Sequence, residues 1–206
     1  MEFQNRGIAV FSIASAVCQQ PSKELFEALA ETNPVLSPEE TGSHWHEIAR
    51  AWEAVKLCVE PLARKGDAAI TSLAAEYTRL FRGLVPDRWA RPAYEAGHLA
   101  CSRDEEILVI QQVQNLFTRA GISVNVHDRP DFIAVELDAM RELLARNSLG
   151  NGGALDSAQE LFTEHLQKWV PAQAKEITAA THVPFYQAVS AYLDSIAVTD
   201  FPELIN

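Results

Sequence analysis

The sequence has little basic charge and no long apolar run. Only 17 Lys and Arg residues accompany 28 Asp and Glu residues, so the formal net charge is −11. A nucleic-acid backbone selects for clustered basic side chains, and this composition therefore argues against a nucleic-acid-binding protein. No segment approaches the roughly 18 consecutive apolar residues of a membrane span. We expect a soluble protein that favours cationic partners, although many acidic proteins bind nothing by charge.

Cysteine is also scarce, and its pattern is not that of a disulfide framework. Cys18, Cys58 and Cys101 are widely separated, odd in number and without a Cys-x-x-Cys pair. Disulfide-bonded secreted domains usually carry an even number of cysteines at close spacings. The pattern predicts reduced thiols in a cytoplasmic protein.

Motifs for metal binding and catalysis are missing as well. His44 and His46 lie two residues apart, so on a helix they point to different sides. His98 and Cys101 are close enough to meet, but two ligands do not make a zinc site. His165 falls on an apolar helical face, which favours a hydrogen-bonded core histidine over a catalytic one. We expect no metal, no other cofactor and no enzymatic activity.

What the sequence does contain is helical periodicity. Apolar residues recur at three- and four-residue steps, and no period-two alternation competes with them. We predict one all-α domain over residues 1–206. Its first helices are expected at Arg6 to about Gln20, at Lys23 to Glu31 (capped by Ser22), after a short turn at the Ser37 to Glu40 capping box from Ser43, and at Ala68 to about Arg82 (ended by Gly83). The later helices are expected from the capping box at Ser102 to near Gly121, at Phe132 to about Asn147, after a cap at Asp156, from Pro171, and at Pro184 to Ala197.

The first of these segments has a second interpretation. Arg6 precedes an uncharged run, Gly7 to Gln20, that has the form of a signal peptide. Glu2 beside Arg6 is unusual for such a leader, and a helix that is apolar on most sides is typical of a core. We favour the buried helix.

The stretch from 127 to 140 organises the rest of the chain. Pro130 biases Arg129 towards extended geometry, so a sharp corner is expected before the next helix. Asp131 is predicted to cap that helix by accepting from the amides of Ile133 and Ala134.

Four strings resemble those of the TorD/DmsD/NarJ-type maturation chaperones of molybdenum enzymes. Residues 129–137, RPDFIAVEL, are similar to the family signature Glu-Pro-Asp-His followed by an apolar residue and Glu-Leu, with Arg and Phe in place of the Glu and the His. The other three are EYTRLF at 76–81, PAYE at 92–95 and ELFTEHLQKWVP at 160–171.

The resemblance implies a TorD-like helical bundle that acts as a cytoplasmic chaperone. Such a protein binds the twin-arginine signal peptide, or the unfolded precursor, of a molybdopterin oxidoreductase until the cofactor is inserted. It implies a monomer, with a domain-swapped dimer as the alternative state. The alternative function is an all-α enzyme or small-molecule-binding protein with a pocket between helices.

We expect the peptide in a groove between the Pro130-Asp131 corner and the loop from Trp89 to Glu95, with aromatic walls and carboxylates at the rim. Glu136 and Asp138 would be displayed at fixed angles. The plainer alternatives are an ion pair for Glu76 and for Glu136, a helix cap for Asp131 and a solvated surface position for Asp138. The predicted peptide-binding residues are Glu76, Tyr77, Phe81, Trp89, Pro92, Tyr94, Glu95, Pro130, Asp131, Phe132 and Glu136.

Overall fold

The computed structural model describes residues 2–32, 43–64, 67–83, 91–125 and 128–205. The capping box at Ser37 to Glu40, Trp89 and His127 lie outside these ranges. Within them the chain forms eleven α-helices, which confirms the all-α prediction: α1 Glu2–Val17, α2 Lys23–Glu31, α3 Ser43–Ala63, α4 Asp67–Tyr77, α5 Glu95–Leu99, α6 Arg103–Arg119, α7 Ile133–Ser148, α8 Ala154–Glu160, α9 Gln167–Ala180, α10 Pro184–Ala197 and α11 Phe201–Ile205.

Two π-helical segments interrupt this pattern, Thr78–Arg82 after α4 and Leu161–Leu166 between α8 and α9. Such segments are frequent at functional sites. The extended pairing in the described part of the chain is a single antiparallel bridge between Tyr94 and Phe132. None of the described helices has the length and apolar content that crossing a bilayer requires.

The N-terminal segment is a core helix. Val10, Phe11 and Ala14 on α1 are at most 1% exposed, and α1 packs chiefly against α7. The hydroxyl of Ser15 donates to the carbonyl of Ala134 at 3.0 Å, and the hydroxyl of Tyr192 on α10 donates to the carbonyl of Val10 at 3.1 Å. The buried-helix interpretation of this segment is confirmed, and α1 positions the start of α7.

Capping motifs predicted helix starts correctly where the capping side chain and the amide that it accepts from lie within one turn. Ser22 accepts from the amide of Leu25 at 3.1 Å, and Ser102 accepts from the amide of Glu105 at 3.3 Å, as predicted. The predicted cap at Asp156 is wrong, because Gly153, with φ of 95°, precedes a helix that already begins at Ala154.

The predicted helix start at Pro171 is also wrong. Pro171 lies inside α9, because the π-helical segment Leu161–Leu166 joins α8 to α9 without a break. Two short helices, α5 and α11, were not predicted at all. Each has only five residues, which is too few for periodicity to mark.

Gly83 ends the first π-helical segment in the left-handed region, with φ of 64°. A Cβ at this position would lie 2.4 Å from Cγ of Pro92, so the glycine lets Pro92 pack against the end of the segment. The amide of Ala93 then donates to the carbonyl of Phe81 at 2.9 Å. Gly83 was predicted as the helix stop, and that prediction is confirmed.

We expect Gly83→Ala to lower the free energy of unfolding by about 2 to 3 kcal/mol, since it adds a steric clash with Pro92 to the strain of a left-handed alanine. Gly150→Ala is the matched control, because Gly150 also has a positive φ of 82° but nothing lies within 4 Å of its added Cβ. It should cost only about 1 kcal/mol, from backbone strain alone. Urea unfolding followed by circular dichroism measures both, and equal losses would contradict the contact with Pro92.

Candidate functional site

The corner before α7 is fastened to the segment that follows Arg91. The amide of Glu95 donates to the carbonyl of Asp131 at 2.9 Å, and the amide of Ile133 donates to the carbonyl of Ala93 at 3.0 Å. These two backbone hydrogen bonds leave no space for a peptide between the corner and residues 93–95. The expected groove at this place is therefore wrong for the residues that the structure describes.

Asp131 lies fully buried at this corner. Its carboxylate accepts from Nε and Nη2 of Arg129 at 2.9 and 2.7 Å, and from the amide of Ala96 in the first turn of α5 at 3.3 Å. Residue Phe132 occupies the N-cap position of α7 without a side-chain hydrogen bond. The predicted cap of α7 by Asp131 is wrong, because the carboxylate is turned away from α7. It pairs with Arg129 and accepts from the first turn of α5 instead.

Two arginines and two aromatic rings form a stack beside the corner. The guanidinium carbon of Arg129 lies 4.5 Å from the ring centroid of Tyr94. Tyr94 packs on Phe132 with centroids 5.3 Å apart, and the guanidinium carbon of Arg82 lies 4.0 Å from the Phe132 centroid. Arg82 also donates to the hydroxyl of Tyr94 at 3.0 Å. These cation–π contacts hold both rings in place.

A second group of polar side chains is buried behind the corner. His165 Nδ1 lies 2.9 and 3.0 Å from the two carboxylate oxygens of Glu95, and Trp169 Nε1 donates to Oε2 of Glu136 at 3.3 Å. Glu95 and Glu136 are at most 1% exposed. His165 is thus the hydrogen-bonded core histidine that the sequence predicted.

Burial raises the pKa of Glu136 well above its ordinary value, and the neighbouring Glu95 carboxyl raises it further. Burial also raises the pKa of Glu95, against the opposing effect of His165. In the part of the chain that is described, no cation contacts Glu136, and its Oε1 has no hydrogen-bond partner. The predictions that Glu136 forms an ion pair or is displayed on the surface are both wrong.

The predicted ion pair of Glu76 is confirmed. Arg79 donates to its two carboxylate oxygens at 2.8 and 2.6 Å, and the hydroxyl of Thr181 donates to it as well. Hydrogen bonds from Arg79 are the main cause that lowers the pKa of Glu76. Tyr77 and Phe81, on the same stretch, are at most 3% exposed and stack with centroids 5.1 Å apart.

An open groove of about 660 Å³ lies on the other side of the corner. Its walls are the exposed side of α7, residues 121–125, the chain after α1 and the end of the first π-helical segment. Apolar side chains, three carboxylates and the arginines Arg82, Arg141 and Arg146 line it. The residues that matter for its chemistry are Asp128, Phe132, Val135, Asp138, Ala139 and Glu142.

Arginines on α7 order the walls of this groove. Arg146 donates to Glu142 at 2.9 Å and to the carbonyl of Ala120 at 2.9 Å, so it fastens the end of α6 to α7. Arg141 donates to Asp138 at 2.7 Å, but the Asp138 side chain is 56% exposed. Asp128 is exposed and forms no ion pair with any residue in the described ranges.

Of the eleven predicted peptide-binding residues, Tyr77 and Phe132 line this groove. Pro92, Tyr94 and Pro130 are half-buried around the corner. Sequence reasoning missed Arg82, Asp128, Val135 and Glu142. One signal for two of them was present, because Val135 and Ala139, and Asp138 and Glu142, repeat at four-residue steps along one side of α7.

The described residues bring no three metal-ligating side chains together. His98 lies next to Gln173, with Nε2 and Oε1 separated by 2.6 Å.

Comparison with known proteins gives the family. No curated protein matches the chain. A family model described as the nitrate reductase delta subunit matches residues 37–175, about two thirds of the chain. The match includes the corner, α7 and both π-helical segments, and it confirms the resemblance read from the four strings. The chain therefore belongs to the nitrate reductase delta subunit family, a family of molybdoenzyme maturation chaperones.

Proposed function

We propose that this protein is a cytoplasmic chaperone that binds the N-terminal twin-arginine signal peptide, or the unfolded N-terminal part, of a molybdopterin oxidoreductase precursor. It holds the precursor until the cofactor is inserted. The single observation that carries the proposal is the groove along α7 in a member of this family, whose rim bears the exposed carboxylates of Asp128 and Asp138 beside apolar side chains and arginines.

The shape and floor of the groove suit an extended or helical peptide segment. Its volume of about 660 Å³ falls in the range of ligand sites and accommodates a few side chains. Val135 is half-buried and supplies the accessible apolar surface to which the hydrophobic part of a leader can bind, and Phe132 and Ala139, each 3% exposed, lie beneath it.

The rim suits the basic part of such a leader. Asp128 offers a carboxylate that forms no ion pair within the described ranges, and the ion pair of Asp138 there is the surface contact with Arg141. Exposed ion pairs contribute at most about 1 kcal/mol, so an arginine of the client can replace Arg141 on Asp138 at small cost. The net charge of −11 also steers basic peptides towards the protein.

The remaining predicted residues do not contact the client in this proposal but hold the structure around the groove in place. Asp131, Glu95 and Glu136 are buried, and they fix the corner from which Phe132 and the start of α7 reach the groove. Glu76 joins α4 to Thr181 after α9. An enzymatic role is not proposed, because the paired acid and base, Glu95 and His165, are both buried and neither lines the groove.

Titration calorimetry with a panel of twin-arginine leader peptides from the same organism tests the proposal. We expect Asp138→Asn to lower the affinity for the peptide by about three- to tenfold at low salt, since the substitution removes the charge proposed to contact the client arginine. Added salt should weaken the wild-type interaction only modestly, because screening acts chiefly on exposed charges.

Glu53→Gln is the matched control. It removes one exposed negative charge on α3, away from the groove, and should leave the affinity nearly unchanged. Equal losses for Asp138→Asn and Glu53→Gln would show that only the overall charge matters. Absence of binding by the whole panel would overturn the proposed function.

A further inference from the structure

Arg129 occupies a site with the chemistry of an arginine receptor. Its guanidinium forms a two-point pairing with the carboxylate of Asp131 at 2.9 and 2.7 Å. Nη1 donates to Oε1 of Glu106 at 3.2 Å, and the guanidinium carbon lies 4.5 Å from the ring centroid of Tyr94. Two carboxylates in the plane and an aromatic face above it are the surroundings that recognise a guanidinium and not an ammonium.

The receptor half of this site is rigid, whereas its occupant is accessible. Asp131 is fully buried and is held by the amide of Ala96 and by the backbone bridge at the corner. The side chain of Arg129 is 40% exposed, and that of Glu106 is 42% exposed. Solvent therefore reaches the guanidinium, while the carboxylate beneath it stays in place.

The site adjoins the proposed client groove. Phe132 lines the groove, and Tyr94 packs against it with centroids 5.3 Å apart. The ring of Tyr94 therefore separates the guanidinium of Arg129 from Phe132 in the groove wall. A peptide already bound along α7 can bring a neighbouring side chain to this position.

We propose that Asp131, Glu106 and Tyr94 form a guanidinium-binding site that the chain's own Arg129 fills, as a built-in competitor for an arginine of the client. The part that concerns the client rests on the proposed function. Arg129 is tethered two residues from Asp131, so its effective concentration at the site is on the order of millimolar or higher. Free arginine does not displace it, whereas an arginine on a peptide held in the groove competes on equal terms.

The first test concerns the site alone and needs no client. Arg129→Ala should lower the thermal midpoint and leave an empty guanidinium-shaped site. About 20 mM ethylguanidinium should raise the midpoint of this variant by roughly 3 to 6 °C, as expected for a ligand at about ten times its dissociation constant. Ethylammonium at the same concentration is the matched cation and should have a much smaller effect.

Two further proteins serve as controls for this rescue. In the wild type the site is filled, so the two cations should act alike. Arg91→Ala truncates an arginine that pairs with Glu176 at 3.3 Å but is 57% exposed, and no ethylguanidinium-specific rescue is expected there. If both cations raise the thermal midpoint of Arg129→Ala equally, the proposal of a guanidinium-binding site is overturned. Where that variant fails to fold, Arg129→Gln, which keeps an amide donor, takes its place with the same expected outcomes.

The second test concerns competition with the client. Arg129→Ala should bind a twin-arginine leader peptide about three- to tenfold more tightly than the wild type, because the tethered competitor is gone. The same leader with both arginines changed to glutamine should show no such gain.

The outcomes of this second test separate the two claims. An equal gain for both peptides, or no gain for either, would overturn the competitor role while a guanidinium-specific rescue would still support the site. If neither protein binds any leader, the proposed function and the competitor role both fail, and the rescue experiment alone decides the site.

Discussion

Asp131→Ala is expected to lower the free energy of unfolding by about 3 kcal/mol, one of the two largest effects predicted for a single substitution in this chain. The alanine leaves the amide of Ala96 without a partner inside the protein and removes the carboxylate that Arg129 pairs with. The loss is smaller than for a fully buried ion pair, because Arg129 is 40% exposed and regains water. Urea unfolding measures it.

Asp138→Ala is the matched control for this loss. Asp138 also pairs with an arginine at 2.7 Å, but its side chain is 56% exposed, so its removal should cost less than about 1 kcal/mol. Asp131→Asn separates the two roles of the buried carboxylate, since an amide oxygen still accepts from Ala96 but cannot form the two-point pairing. Losses of the same size for Asp131→Ala and Asp138→Ala would contradict the account of the corner.

Glu136→Gln is expected to make the protein more stable than the wild type at pH 8, and to lose this advantage near pH 4. Burial and the nearby Glu95 raise the pKa of Glu136 in the folded protein above its unfolded value. The stability that comes from the protonated carboxyl is therefore fully present below the unfolded pKa and is lost as the pH rises through the folded pKa. Glutamine stays neutral and still accepts from Trp169.

The measurement is the difference in unfolding free energy between Glu136→Gln and the wild type from pH 4 to pH 8. This difference should grow with pH, with a limiting slope of about 1.4 kcal/mol per pH unit between the two pKa values. Glu95 is present in both proteins, so the difference reports the loss of the ionisable carboxyl at position 136 together with its interaction with Glu95. A flat or falling difference for Glu136→Gln would refute the buried neutral carboxyl.

Local sequence signals located most of the helices but not the roles of the corner residues. The bounds of α2 and α10 and the cap at Ser102 follow from residues within one turn of each other. Asp131 was assigned to the nearest helix start, yet its other partner, Ala96, lies 35 residues away in a helix too short to predict. A cap signal identifies a carboxylate that needs donors, but not which donors the fold supplies.

The candidate site was harder to predict than the fold for a similar reason. Glu136 lies at the edge of the apolar face of α7, and its burial depends on Trp169, which is 33 residues away. The groove uses the opposite side of the same helix, where Val135 and Ala139 form a weaker apolar pattern. Which side of α7 faces a groove depends on the path of residues 121–125. Arg146 fixes the start of that path by donating to the carbonyl of Ala120.

Photo-crosslinking tests most directly whether a client leader binds along α7. A twin-arginine leader peptide with a benzophenone in its hydrophobic part should crosslink to residues 121–125 and to the Val135 side of α7. Leu57 and Leu108, which are 71% and 56% exposed elsewhere on the surface, provide competing apolar targets. Crosslinks concentrated at the groove and reduced by unlabelled peptide are the predicted result, whereas crosslinks confined to sites such as Leu57 and Leu108 would contradict the account.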